Sequence, residues 1–260
     1  MSKENVVLYE VDGSVALITI NRPERRNSID AEGVRRIAEA LESAESDSEV
    51  KVVVLTGAGD RAFCAGADLG GMTAESRVGQ HEQRAEVGAL FEQMRTCPLP
   101  IVARVNGHAL AGGFGLMLAC DLVVASSEAD LGTPEINIGV WPFMISAIIQ
   151  RDIPRKVALE LMLTGKRIPA SEGARWGFVN RVVEPDKLDL AVQEIVEGLL
   201  SKSPLIVSLG KRSFYRAEDM SFERALDYLA GMLTVCLESE DTIEGVTAFL
   251  EKRSPEWKGR

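Results

Sequence analysis

Two segments of small residues and one downstream carboxylate are the parts of this sequence with the clearest chemical meaning. The segments are residues 63–69 (Phe-Cys-Ala-Gly-Ala-Asp-Leu) and residues 106–113 (Asn-Gly-His-Ala-Leu-Ala-Gly-Gly), and each follows an apolar run. Small residues let backbone N–H groups face a cleft, and two converging N–H groups stabilise a developing oxyanion. Glu135 follows in Gly-Thr-Pro-Glu. The combination predicts enolate chemistry on a thioester.

Each feature also has an ordinary structural interpretation. Residues 65–68 can form a strand-to-helix turn in which Asp68 caps the helix. Gly112 and Gly113 can serve close packing of a helix on a strand, and Glu135 can be a solvated carboxylate in a first helical turn. A dinucleotide-binding loop is discounted, because the run that begins at Gly113 lacks the last glycine of that motif.

The histidines and one basic pair indicate function less clearly than the two small-residue segments do. His81 and His108 are the only histidines, and no Gly-x-Ser-x-Gly elbow accompanies them, so a His-dependent triad is not favoured. We expect His108 to hydrogen-bond locally beside its loop. The pair Arg25-Arg26 can meet phosphates, although short basic runs are usually solvated surface.

Composition limits the partners of the chain. Its 260 residues are 46% hydrophobic and 26% charged, which is typical of a globular enzyme, and its net charge of −10 argues against nucleic acid or an anionic membrane. A polyanionic small ligand remains compatible if a few basic residues cluster. The four cysteines lie far apart and predict reduced core thiols rather than a metal site. With no apolar leader or membrane-length run, we expect a cytoplasmic protein.

The order of apolar patterns predicts an α/β fold. Strands are expected at residues 6–11, 15–20, 52–55, 101–105 and 122–125, with helical patterns between them. Strand, loop and helix recur, which indicates stacked parallel strands. Beyond about Pro154 the pattern becomes helical, with one apolar stripe around Val192 and another around Leu226. We therefore predict an α/β core over residues 1–195 and a helical region over residues 196–260.

Six segments together resemble the enoyl-CoA hydratase/isomerase (crotonase) superfamily over essentially the whole chain. They are, in order along the chain, residues 21–23 (Asn-Arg-Pro), 63–69, 103–113, 119–121 (Ala-Cys-Asp), 134–135 (Pro-Glu) and 248–253. The resemblance implies a crotonase-type spiral of ββα turns with a C-terminal helical trimerisation region, assembled as a homotrimer or homohexamer. It implies an acyl-CoA substrate, involved in fatty acid metabolism, with no cofactor besides the coenzyme A of that substrate.

The resemblance also implies a set of site residues. The thioester carbonyl would lie between the N–H groups of Ala67 and Gly112, with Glu135 as acid and base. In the family, residues at the Phe249 and Lys252 positions contact the CoA of a neighbouring subunit. The expected contacts to CoA or substrate are Arg25, Arg26, Ala65, Ala67, Asp68, Leu69, Gly112, Trp141, Phe249 and Lys252, where Trp141 is equally compatible with the core.

One position departs from the family. Hydratases of the family carry two glutamates, and the first of them falls on Gly115 here. Isomerisation of a 3-enoyl-CoA to a 2-enoyl-CoA needs only Glu135. Hydration of a 2-enoyl-CoA needs water held by backbone groups, or a small anion such as bicarbonate in the space left by Gly115. An acyl-CoA-binding protein with little catalysis is the alternative, as are thioester hydrolysis and decarboxylation.

Overall fold

The computed structural model describes residues 5–68 and 77–260 of the chain. It confirms the predicted α/β class, and the strands predicted at residues 6–11 and 15–20 form an antiparallel hairpin of β1 and β2. The strands are β1 (Val7–Asp12), β2 (Val15–Ile20), β3 (Val52–Gly57), β4 (Ala62–Cys64), β5 (Ile101–Val105), β6 (His108–Leu110), β7 (Leu122–Ser126), β8 (Asp130–Gly132), β9 (Arg167–Pro169) and β10 (Arg181–Val183). The helices are α1 (Ala31–Ser46), α2 (Arg77–Thr96), α3 (Gly112–Leu118), α4 (Phe143–Asp152), α5 (Arg155–Thr164), α6 (Ala170–Trp176), α7 (Leu188–Leu200), α8 (Pro204–Glu218), α9 (Phe222–Leu237) and α10 (Glu240–Glu251). Short 3₁₀ helices span Pro23–Arg25, Pro134–Ile138 and Pro185–Lys187.

The strands form two sheets that the chain visits in turn. One sheet has the order β1-β2-β3-β5-β7-β10 and the other β4-β6-β8-β9. All neighbours are parallel except β1 with β2 and β8 with β9. The consecutive pairs β3–β4, β5–β6 and β7–β8 each place one strand in each sheet, and each pair is followed by a helical segment. This repetition is the spiral of ββα turns that was expected.

Burial follows the apolar patterns of the sequence. All six residues of β3 are buried, as a run apolar on both faces predicts. On α1, Val34, Ile37 and Leu41 face the core, and Asp30 caps the helix by accepting a hydrogen bond from the Gly33 N–H at 2.9 Å. The elements that carry residues 63–68 and 106–113 are thereby held on a packed core.

The C-terminal helices divide into two kinds. Helix α7 packs Leu188, Val192 and Val196 against the large sheet, in a second core with Val54 and Val102. It spans the predicted division between residues 195 and 196. Helix α9 differs, since none of its 16 residues, all of them described, is buried.

Two features of the chain bear on its surroundings. None of the helices within the described ranges is long and apolar enough to cross a membrane. Cys64, Cys97 and Cys120 are buried free thiols, as expected, and Cys236 is a partly buried one.

Candidate active site

The two small-residue segments meet backbone to backbone. Gly66 has a φ of +99°, and a Cβ at that residue would lie 2.7 Å from the Ala111 Cβ and 3.1 Å from the Gly112 nitrogen. The Ala67 nitrogen in turn lies 3.7 Å from the place of a Cβ on Gly112. Only glycine permits this conformation and this approach at residue 66. The structure therefore brings Ala67 and Gly112 together, as the paired-loop hypothesis requires.

The first segment is held by a loop that lies before α1. Residues Ile29 and Ala67 form a parallel bridge, in which the Ile29 N–H donates to the Gly66 carbonyl at 2.9 Å and the Asp68 N–H donates to the Ile29 carbonyl at 2.8 Å. One residue earlier, the Ala65 N–H donates to the Arg26 carbonyl at 3.0 Å. This short ladder fixes the direction of the backbone at Ala67.

A buried asparagine holds that loop from beneath. Asn27 has no exposed surface and a φ of +54°, which asparagine tolerates better than most residues. Its side-chain amide donates to the carbonyl oxygens of Ala58 (2.9 Å) and Ala62 (2.6 Å), and its side-chain oxygen accepts from the Arg22 N–H (3.0 Å). The side-chain amide of Asn106 donates to the Ala62 carbonyl as well, at 3.2 Å. The two asparagines thus secure the strand that leads to the first segment.

Asp68 forms ion pairs with two arginines. Its carboxylate lies 2.8 Å from the Arg22 guanidinium and 2.7 Å from that of Arg25. Burial would raise the pKa of Asp68, but the hydrogen bonds and positive charges of Arg22 and Arg25 together outweigh burial and hold that pKa below its usual value. Arg22 also contacts Asp30, at 3.2 Å. The pairs join the first segment to the start of α1.

The second segment turns into α3 through a strained residue. Ala111 has a φ of +53° and a ψ of −130°, outside the conformations that a residue with a Cβ prefers, and its N–H donates to the Gly132 carbonyl at 2.9 Å. At Gly113, a Cβ would lie 2.1 Å from the Cys64 carbonyl oxygen. Gly112 is the first residue of α3, where N–H groups have no partner within the helix. The Gly112 N–H, which the helix itself does not use, therefore lies beside Ala67.

Glu135 follows the same segment at a short distance along the chain. It lies in the 3₁₀ helix Pro134–Ile138, three residues after the Gly132 carbonyl that binds Ala111. Glu135 is half-buried, and its Oε2 atom has no hydrogen-bond partner within residues 5–68 and 77–260. Burial raises the pKa of the Glu135 carboxyl above its ordinary value, and a hydrogen bond to its own backbone lowers it by less. A partly buried carboxylate with a raised pKa is suited to proton transfer.

The position of the family's first glutamate is closed by packing. A Cβ on Gly115 would lie 2.2 Å from the Ile145 Cγ2 and 2.7 Å from the Ile145 Cβ, where α3 contacts α4. Both residues are buried. The expectation that Gly115 leaves space for a small anion is therefore wrong, because the Ile145 side chain occupies that place.

A cavity of about 180 Å³ opens beside Ala67 and Gly112. Its walls are mostly apolar, and Gln83 and Arg84 of α2 are among its polar members. The remaining lining residues come from α1 with the loop before it, from α2 and from α3: Ile29, Asp30, Ala31, Val34, Val87, Leu90, Phe91 and Leu116. The arrangement suits an acyl chain whose carbonyl lies at the two backbone N–H groups.

Several residues that were expected to contact CoA or substrate do not line this cavity. Trp141 is half-buried and lines a different cleft, between α4 and α5. Phe249 is 81% exposed near the end of α10, and Lys252 is exposed at its C-terminal cap. Arg26 is exposed, and Ala65 is half-buried beside the cavity-lining Ala67. Leu69 lies outside the described residues.

Sequence reasoning missed the residues that support the loops. Asn106 directly follows the predicted strand at residues 101–105, and this placement is the signal that could have identified it. Asn27 lies in a polar stretch of the sequence and has no such signal. Ion pairing of Arg22 with Asp68 joins residues 46 positions apart, and no local pattern indicates it. The expectation for His108 is confirmed, because its Nδ1 accepts from the Asp130 N–H at 3.0 Å.

Comparison with known proteins agrees with this architecture. A sequence model of the family described as enoyl-CoA hydratase/isomerase matches residues 10–260. The short-chain-enoyl-CoA hydratase of Clostridium acetobutylicum is 35% identical over 97% of both chains. A putative enoyl-CoA hydratase of Thermus thermophilus is 38% identical over 94% of this chain and 97% of its own. The crystal structure of an enoyl-CoA hydratase from Mycobacterium smegmatis superposes with a TM-score of 0.94 at 34% identity, covering 98% of this chain and 99% of that one. The chain belongs to the enoyl-CoA hydratase/isomerase family.

Proposed function

We propose that the protein isomerises a short 3-enoyl-CoA to the 2-enoyl-CoA, with Glu135 as the only side-chain carboxylate that moves protons. The observation that carries the proposal is the contrast between two positions. Glu135 Oε2 is buried without a protein partner among the described residues, whereas the place of a second carboxylate at Gly115 is filled by Ile145. A single base suffices for a proton shift between two carbons of one substrate.

The proposed steps use Ala67, Gly112 and Glu135. The thioester oxygen accepts hydrogen bonds from the N–H groups of Ala67 and Gly112, and removal of one such donor typically costs roughly 3–4 kcal/mol of transition-state stabilisation. Glu135 takes a proton from C2, the negative charge collects on the thioester oxygen, and the same carboxyl returns the proton at C4. The double bond moves from C3–C4 to C2–C3, and no atoms are gained or lost.

The raised pKa of Glu135 serves both halves of this cycle. A carboxyl group whose pKa lies closer to the pH of the solution returns its proton more readily than an ordinary glutamate does. A cavity of about 180 Å³ also supports a short acyl chain, because pockets for drug-sized ligands usually exceed ~300 Å³.

Binding of the coenzyme A portion is part of the same proposal. Arg25 and Arg26, on the loop that supports Ala67, are exposed and would meet phosphates, while Ala65 and Asp68 flank the thioester. Phe249 and Lys252 would contact the CoA of a neighbouring subunit in a homotrimer or homohexamer. The exposed apolar residues of α9 and α10 support such an assembly. The buried free thiols support a cytoplasmic location.

Hydration of a 2-enoyl-CoA is the second candidate. It is favoured by the relatives that cover nearly the whole chain, such as the crotonyl-CoA hydratase of Syntrophomonas wolfei at 35% identity. Hydration requires a polar group to hold water, and Gly115 supplies none.

A paired assay tests the proposal. Purified protein is incubated with a short 3-enoyl-CoA and, separately, with the matching 2-enoyl-CoA, and the products are separated by chromatography. Conversion of the 3-enoyl to the 2-enoyl thioester, lost in Glu135→Gln, is the expected result. Formation of a 3-hydroxyacyl-CoA alone would favour the second candidate. Binding of both thioesters without turnover would overturn the proposal in favour of a non-catalytic acyl-CoA-binding protein.

A further inference from the structure

A buried threonine beside Glu135 has no assigned role. Within residues 5–68 and 77–260, three buried side-chain oxygens have no hydrogen-bond partner: Glu86 Oε2, Thr133 Oγ1 and Glu135 Oε2. The last two belong to residues separated only by Pro134. Buried polar side chains nearly always have a partner, and two exceptions only two residues apart in the chain are the observation on which the inference rests.

The Thr133 hydroxyl makes no hydrogen bond to any residue in the described part of the chain. Thr133 has no exposed surface and stands at the N-terminal cap of the 3₁₀ helix, yet its side chain makes no capping bond. The residue that follows is Pro134, which has no N–H to offer. The preceding residue, Gly132, is tied to Ala111 by a hydrogen bond of 2.9 Å. Thr133 is thereby held between the segment that carries Gly112 and the catalytic candidate Glu135.

We propose that Thr133 is a water-positioning residue, whose hydroxyl and the Glu135 carboxylate together hold the water that adds to a 2-enoyl-CoA. The inference rests on the oxyanion site and Glu135 of the proposed function and extends it to hydration. A carboxylate accepts one hydrogen of the water, and a hydroxyl oxygen accepts the other. The lone pair of the water oxygen is then free to attack. Thr133 would thus take over the water-holding role that Ile145 denies to residue 115.

The resulting step balances with one carboxylate. The water oxygen bonds to C3 while one water proton passes to Glu135. The π electrons of the C2–C3 bond form the enolate, whose oxygen is held by Ala67 and Gly112. Glu135 then delivers the same proton to C2, so that one water is added and no oxidant or reductant is consumed.

The experiment compares two reactions of one protein. In the full-length chain, Thr133→Val removes the hydroxyl and keeps the shape of the side chain. Hydration of a short 2-enoyl-CoA should fall by roughly a hundredfold, the cost of losing a positioned reactant, while isomerisation of the 3-enoyl-CoA stays within about threefold. Thr133→Ser should restore hydration. Thr164→Val, at an exposed threonine of α5, serves as the matched control and should leave both rates unchanged.

The outcomes separate this inference from the function on which it rests. Loss of hydration alone, with thermal stability unchanged or raised, supports Thr133 as the water-positioning residue. Equal loss of both reactions would make Thr133 a structural residue, and unchanged hydration would overturn the inference as well. Wild-type protein that isomerises without hydrating also overturns it while the proposed function stands. Wild-type protein inert toward both thioesters would refute the proposed function itself.

Discussion

The loops around Ala67 and Gly112 are packed within the chain, whereas the C-terminal helices α8–α10 expose many of their apolar residues. Around the loops, glycines meet backbone atoms at distances that leave no room for a side chain, and buried asparagines bind the carbonyl groups. On α9, Phe222 is 78% exposed and Leu233 58%. Contacts within one chain therefore hold the loops in place, whereas the large apolar residues of α9 lie exposed on the surface of that chain.

The largest expected effect comes from a substitution of Glu135. Glu135→Gln removes the proton-transferring group and keeps the size of the side chain, so the isomerisation rate should fall by a factor of roughly 10²–10⁴. The rate is measured at saturating 3-enoyl-CoA, and binding of the thioester should persist. Glu128→Gln, at an exposed glutamate, is the control. A variant at residue 135 with more than a tenth of the wild-type rate would remove Glu135 from the mechanism.

Matched leucines on two helices sharpen the contrast between the regions. Leu41 on α1 is 1% exposed and Leu226 on α9 is 53% exposed. Leu41→Ala should lower the free energy of unfolding by about 2–5 kcal/mol, because it leaves a cavity in the core. Leu226→Ala should change the unfolding of the single chain by only about 0.5 kcal/mol.

The measurements are denaturant unfolding and sedimentation velocity at several concentrations. Leu226→Ala should weaken self-association at low concentration, whereas Leu41→Ala should not do so before it unfolds. If both variants unfold alike and associate alike, the two regions do not differ in the way described.

The contact between residues 115 and 145 gives a smaller effect with a characteristic sign. Gly115→Ala forces a Cβ against Ile145 and should cost about 1–3 kcal/mol of stability through overpacking. Ile145→Ala alone leaves a cavity. In the double variant the added methyl group occupies space that the isoleucine vacated, so the combined loss should be less than the sum of the two. Strict additivity in a thermal-unfolding cycle would mean that α4 does not close this place.

The smallest effect is a displacement of the pH profile. Burial raises the pKa of Glu135, so its base form is populated only above this raised value, and kcat/KM should decline as the pH falls through it. The midpoint should lie above that of an ordinary glutamate. For stability the sign is the reverse. The folded chain binds this proton more tightly than the unfolded chain, so the contribution of Glu135 is present at low pH and is lost as the pH rises through the folded pKa. A midpoint at the ordinary glutamate value would show that the carboxyl is solvated.

The same contrast explains how far the sequence could predict the structure. Local patterns sufficed for the hairpin, for the buried run of β3 and for the small-residue segments that follow the strands. The closure of Gly115 by Ile145 could not be foreseen, because it depends on how two helices thirty residues apart pack, and a glycine in a sequence does not reveal what lies against it. The loop support by Asn27 was likewise hidden, since its partners Ala58 and Ala62 belong to the next unit of the chain.

The central claim is that Glu135 exchanges a proton with C2 of a thioester held at Ala67 and Gly112. The most direct measurement is deuterium incorporation at C2 of a saturated short acyl-CoA in D₂O, followed by mass spectrometry. A saturated substrate can neither add water nor shift a double bond, so only the proton transfer is observed. We predict exchange catalysed by the wild-type protein and its loss, by a factor of roughly 10² or more, in Glu135→Gln. Exchange at equal rates in both proteins, or none in the wild type despite binding, would contradict the account.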